Sequence, residues 1–330
     1  MYSKRATRYL AAVAGVLSCV ACTFGAASGP CDPRDSSATF SSGLSLPQAE
    51  ALPWSEIRAQ IAAGNFAEAE RLLEAVQPSA ERQFWSGVLR LHERKTFASI
   101  RSFERAARLN DTSQTETLLA VDYFLLNQKT LAADALQRAL RLNPHDLMAL
   151  YLQGRLDFVG DSWVEAREDF AAVLAREPND DHSLYYLGLS EWRMGDNAAA
   201  RRDLQHAVDV LNCHHLNFPL APYSLAQIEL DSGDAAEALH QSDLALEMAE
   251  SVAAGFKNSG DLAKLLLLRG KIEERLGRPK EAEQDFQHSL KLDPYLAEVW
   301  YLLARVYRSE GKNTQAARAL KEFQQIQSQL

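Results

Sequence analysis

Residues 147–180 read LMALYLQGRLDFVGDSWVEAREDFAAVLAREPND, and residues 181–214 read DHSLYYLGLSEWRMGDNAAARRDLQHAVDVLNCH. Both stretches begin a helical pattern at the same point. Both place Gly eighth (Gly154, Gly188), Ala twentieth (Ala166, Ala200) and a large apolar residue twenty-fourth (Phe170, Leu204). Self-similarity at such a period is the signature of a repeat architecture. Carried in both directions, the same frame starts units near Ala80, Ser113, Pro219, Ala263 and Ala297, with a degenerate one near Glu50.

The places in the frame have physical meanings. Two antiparallel helices joined by a tight turn approach closely only where side chains at the crossing are small. The eighth place holds Gly87, Ala120, Gly154, Gly188, Ala226, Gly270 and Ala304. The twentieth holds Ala69, Ser99, Ala132, Ala166, Ala200, Ala238, Ala282 and Ala316. The two are expected to face each other, with Phe103, Leu136, Phe170, Leu204, Phe286 or Leu320 filling the space beside them; Ser242 is the exception. Turns fall at Gly64, Gly195, Gly233, Gly277 and Gly311, where a left-handed residue can end the first helix. Pro144, Pro178 and Pro294 end the second helix, because proline cannot continue one. Each pair leaves an apolar face bare, so each unit must stack on its neighbour. Two junctions are longer than the repeat requires, around residues 212–222 and 250–261, and longer connections are where function can enter.

Over roughly residues 50–330 this pattern resembles the tetratricopeptide repeat family. The resemblance implies an all-α fold, a right-handed superhelical solenoid of about seven to eight antiparallel helix pairs. It also implies a protein-interaction scaffold whose first helices line a concave groove for a peptide or protein. Carried over by place in the repeat, the groove residues are Tyr151, Arg155, Tyr185, Leu189, Trp192, Tyr223, Gln227, Lys271, Tyr301 and Arg305. Tyrosine and tryptophan suit that role, since they offer large apolar area and one hydrogen bond at low entropic cost. Lys264, Lys271, Arg275, Arg305 and Arg308 suggest a ligand with an apolar core and an acidic flank. The carboxylate clamp found in part of the family needs Lys at the fifth place and Asn at the following ninth, and no unit has that pair.

Composition agrees with helices. Of 330 residues 47% are apolar, while only 11 are Pro and 16 Gly, too few for a fold built on many turns. A net charge of -9 repels a phosphate backbone, which counts against nucleic acid as partner. Residues 1–27 join Lys4, Arg5 and Arg8 to an apolar run from Tyr9 to Cys22 and a small-residue tail, the three parts of an export signal or an N-terminal anchor. Val16–Cys19 resembles a lipobox, which would lipidate Cys19. Residues 28–49, rich in Ser, Pro and Gly, read as a flexible linker to the solenoid of 50–330. The protein is therefore expected in the periplasm, the envelope or the medium, touching membrane only through its N-terminus. Cleavage near Ala27 would leave Cys31 and Cys213, which could form a disulfide in an oxidising compartment.

Catalytic signatures are missing from the chain. There is no phosphate-binding glycine loop, no H-E-x-x-H and no G-x-S-x-G. His92-Glu93 starts like a zinc helix, but Thr96 stands where the second His should be. Cys213-His214-His215 is the one concentrated ligand set, and consecutive residues rarely converge on a tetrahedral metal. No enzyme activity, cofactor or metal is expected. Two other readings stay open: a membrane-tethered spacer that associates with copies of itself, and a metal-binding or enzymatic protein using the 212–222 loop.

Overall fold

A computed structural model describes residues 53–251 and 259–328, which carry sixteen α-helices and no strand. The segments 1–27 and 28–49 lie outside the described residues. The chain divides into two compact units, Met1–Gly195 and Asp196–Leu330, within the stretch expected as one solenoid.

The first unit contains α1 (Trp54–Ala62), α2 (Phe66–Ala75), α3 (Ala80–His92), α4 (Thr96–Leu109), α5 (Ser113–Leu125), α6 (Lys129–Leu142), α7 (Leu147–Val159), α8 (Trp163–Leu174) and α9 (Asp181–Met194). The second contains α10 (Asn197–Cys213), α11 (Leu220–Ser232), α12 (Ala235–Ser251), α13 (Ser259–Arg275), α14 (Pro279–Leu292), α15 (Ala297–Ser309) and α16 (Asn313–Gln327). Within each unit, consecutive helices pack in pairs and each pair packs on the next. The 34-residue frame places the starts of α3, α5, α7, α9 and α15 to the residue; α13 begins four residues ahead of its expected start at Ala263. Helices α10 and α12, whose ends lack proline, run to 17 residues, against 14, 12 and 14 where Pro144, Pro178 and Pro294 follow.

First helices start on side-chain caps: Ser79, Thr112, Asp146 and Asp180 each accept a hydrogen bond from the backbone N–H three residues on. Such caps satisfy N–H groups that have no partner inside the helix. The turn after the first helix takes a left-handed residue in every described repeat. It is glycine at Gly64, Gly195, Gly233, Gly277 and Gly311, but Arg94, Asn127 and Asp161 hold the same conformation elsewhere. The frame dictates the turn geometry even where the residue type resists it.

Every residue at the twentieth place is buried, and the twenty-fourth-place side chains Phe103, Leu136, Phe170, Leu204 and Phe286 are fully enclosed. The contact at the eighth place differs in detail from the sequence expectation. In α3, α7 and α13 it is the aromatic ring at the twenty-fourth place that lies over the glycine. The twentieth place meets the backbone there instead: the Ser99 hydroxyl donates to the Gly87 carbonyl at 3.0 Å.

Candidate functional site

The groove expected from the resemblance requires side chains on first helices that reach solvent. In the first unit the structure buries most of them. Tyr151 is 2% exposed, Tyr185 8% and Leu189 9%. The Tyr151 ring meets Phe170 of its own repeat, with centroids 5.9 Å apart, and Tyr186 of the next repeat at 6.2 Å. Tyr186 also stacks on Phe170 at 5.4 Å, meets Phe158 at 5.7 Å and touches Tyr185 at 5.1 Å. These rings are core packing between repeats, in the edge-to-face and stacked arrangements that aromatic quadrupoles favour. Tyr151, Tyr185 and Leu189 are thus corrected from groove-lining to core residues.

Arg155 belongs to the same cluster. Its guanidinium lies over the Tyr151 ring at 5.6 Å and the Tyr186 ring at 5.5 Å. Burial works against its charge, while the two tyrosine oxygens favour it and hold its pKa above the ordinary value. Burial likewise pushes the Tyr151 phenol well up. Trp192 is half-buried beside Arg193, whose guanidinium reaches both Trp163 and Trp192. Tyr186, which meets Tyr151, Phe158, Phe170, Tyr185 and Arg155, was not singled out from sequence; the Tyr185-Tyr186 doublet was the available signal.

In helix α5 every residue from Thr115 to Asp122 is buried. Burial raises the pKa of Asp122 to about 7, with the nearby Ser99 hydroxyl opposing the shift only in part.

The second unit is different. Tyr301 is 46% exposed on α15, and its ring leans on Phe323 of α16 at 5.6 Å. Tyr223 is half-buried against the α12–α13 core, and Gln227 donates to its hydroxyl at 3.3 Å. Three of the five cations expected to meet an acidic ligand are already engaged. Lys271 pairs with Glu298 at 2.5 Å, Arg305 with Glu274 at 2.7 Å and Lys264 with Asp261 at 3.1 Å. The first two pairs bridge the first helices of successive repeats, α13 to α15. Lys271 and Arg305 thus belong to a mixed-charge ladder beside Tyr301.

The third candidate was the loop at 212–222. Cys213, at the end of α10, is disulfide-bonded, and Cys19, Cys22 and Cys31 lie outside the described residues. His215 adopts a left-handed conformation, and His214 Nε2 is buried without a partner. Among the described residues no three His, Cys, Asp or Glu side chains converge as metal ligands, and no helix is long and apolar enough to cross a membrane.

Family models described as tetratricopeptide repeat match residues 117–182, 158–211 and 185–253, then 263–306 and 297–329, together more than half of the chain. Among curated proteins the chain is similar to superkiller complex protein 3 of Mus musculus, at 26% identity over 53% of this chain. It spans only 13% of that relative's length. Among solved structures it resembles PilF of Pseudomonas aeruginosa, at 17% identity and TM-score 0.57, covering 68% of this chain and 97% of that one. PilW, a type IV pilus biogenesis factor, matches at 19% identity and TM-score 0.56, covering 68% and 98%. The Cut9–Hcn1 complex matches at 15% identity and TM-score 0.58, covering 87% of this chain and 55% of that one. At these identities the likeness to solved structures is one of fold.

Proposed function

Since this chain belongs to the tetratricopeptide repeat family, we propose that it is an exported protein-interaction scaffold that holds a polypeptide partner on the first-helix face of its second unit. The observation that carries this reading is the contrast between the units. The expected binding tyrosines of the first unit are enclosed by packing within and between repeats, whereas Tyr301 stays open beside the Lys271–Glu298 and Glu274–Arg305 pairs. An aromatic anchor flanked by both signs of charge suits a partner that offers an apolar side chain between mixed charges, and not a purely acidic segment. Residues 1–27 supply the export signal or anchor in this reading, and no catalytic step is assigned to the protein.

The experiment is affinity capture from native envelope extract with the full chain, comparing wild type with Tyr301→Ala/Arg305→Ala. Partners captured by wild type should be lost from the variant while its melting curve is preserved. Equal capture by both ends the proposal.

A further inference from the structure

Beyond that face, two second helices carry opposite charges at the same spacing. On α4 the solvent side is formed by Phe97, Arg101, Arg105, Arg108 and Leu109, with Phe97 66% exposed and Leu109 64%. Arg101, Arg105 and Arg108 stand at i, i+4 and i+7, so they share one face over about 10 Å of helix. Only Arg108 has a recorded acidic neighbour, Glu104 at 3.7 Å. On α12 the solvent side is Ala236, His240, Asp243, Glu247 and Glu250, and the helix contains no Lys or Arg. Asp243, Glu247 and Glu250 stand at the same i, i+4 and i+7 spacing. Only Asp243 has a recorded cation, Arg269 at 3.2 Å.

Arg108 suits the last turn of α4 and pairs with Glu104, but Arg101, Arg105 and the α12 set are not explained by the stability of their own helices. Two adjacent arginines at i, i+4 repel each other, as do Asp243 and Glu247. Glu247 and Glu250 also sit in the last turns of α12, where the helix dipole disfavours anions. In a chain of net charge -9, a bare arginine row bounded by exposed apolar side chains needs an acidic counterpart. The chain itself carries one of matching spacing.

We infer that the α4 face of one copy docks on the α12 face of a second copy. The contact is heterologous, because the two faces are different surfaces; successive copies add head to tail unless the rotation closes a ring. Arg101, Arg105 and Arg108 meet Asp243, Glu247 and Glu250, while Phe97 and Leu109 cover the ends. Exposed ion pairs are individually weak and are screened by salt, so association belongs to concentrated protein at low ionic strength.

The test is sedimentation equilibrium of the full chain over a range of concentrations, at about 50 and about 500 mM salt. Weight-average mass should rise with concentration at low salt and fall towards the monomer at high salt. Arg101→Glu/Arg105→Glu and Glu247→Arg/Glu250→Arg should each weaken self-association about tenfold or more, since two pairs become repulsive. Mixing the two variants restores complementary faces, so the mixture should associate where neither does alone. This readout is indifferent to any association through the apolar leader, which both variants retain. Circular dichroism melts check folding, and the salt response of wild type stands apart from any variant. A monomer at every concentration, association that survives both reversals, or a mixture that stays dissociated overturns the inference. It also fails if Arg101→Glu/Arg105→Glu abolishes flotation with phosphatidylglycerol vesicles while leaving the mass distribution unchanged.

Discussion

A Cβ atom on Gly270 would lie 2.5 Å from Cε1 of Phe286, so the missing side chain on α13 and the ring on α14 occupy the same space. The arrangement recurs at Gly87 over Phe103, where the distance is 2.6 Å, and at Gly154 over Phe170, where it is 3.0 Å. Where the twenty-fourth place is Leu136 or Leu320, the eighth is Ala120 or Ala304. Two pairs depart from this, Gly188 with Leu204 and Ala226 with Ser242. In the other five repeats the larger twenty-fourth-place side chain goes with the smaller eighth-place residue.

Gly270→Ala should destabilise the protein by about 1–3 kcal/mol, because Phe286 is held in a closed core and has no free rotamer to retreat to. Adding Phe286→Leu should recover most of that loss, with a coupling of about 1–2 kcal/mol in urea denaturation. Strictly additive losses would show that the ring does not confront the glycine.

Asp122 gives the protein a pH dependence of defined sign. Burial raises its folded pKa from 3.8 to about 7, so the folded state holds a proton that the unfolded state has released. Stability from this residue is therefore fullest below about pH 4 and declines as pH rises towards about 7. Asp122→Asn should stabilise the protein at pH 8 by roughly 1–3 kcal/mol and make little difference near pH 4. A variant whose advantage does not change with pH would contradict this account.

Arg94 holds a left-handed conformation, φ 59°, at a turn where other repeats place glycine. Arg94→Gly should raise stability by about 1 kcal/mol, and Gly233→Ala, at φ 91°, should lower it by a similar amount. Thermal melts of the two variants moving in the same direction would count against a shared turn.

Tyr151 and Tyr301 occupy the same place in their repeats and should respond oppositely to truncation. Tyr151→Ala removes a ring packed between two repeats and should cost roughly 3–5 kcal/mol. Tyr301→Ala, half exposed, should cost under about 1 kcal/mol while reducing partner capture. Equal losses of stability would place Tyr301 in the core as well.

For the disulfide of Cys213, mass spectrometry of non-reduced peptides from exported protein should recover Cys31 as the partner. Such a bond would close a loop of well over 100 residues and stabilise the protein by limiting the unfolded chain, on the order of 4–5 kcal/mol in the entropic account. Recovery of both residues as free thiols would remove it.

The repeat frame, the helix pairs and the glycine turns were legible in the sequence, whereas the left-handed turns at Arg94, Asn127 and Asp161 and the ring lying over the eighth-place glycine were not. The legible features depend on residue type at fixed spacing, and a 34-residue period repeats that information many times. Ala132, Ala166 and Ala282 are buried at a place that holds only Ala or Ser, and its recurrence from unit to unit is what made it legible. Which tyrosine faces solvent was not legible, because Tyr151 and Tyr301 share a place and a residue type. Their fates are decided by neighbours in other helices: Phe170 and Tyr186 close over Tyr151, while Tyr301 leans on Phe323 and stays 46% exposed. The pairing of Lys271 with Glu298 and of Arg305 with Glu274 escaped for the same reason, since each partner lies about 30 residues away on a stacked repeat. Local periodicity fixed the helices and their spacing, and burial and charge neutralisation waited on contacts between repeats that no single repeat contains.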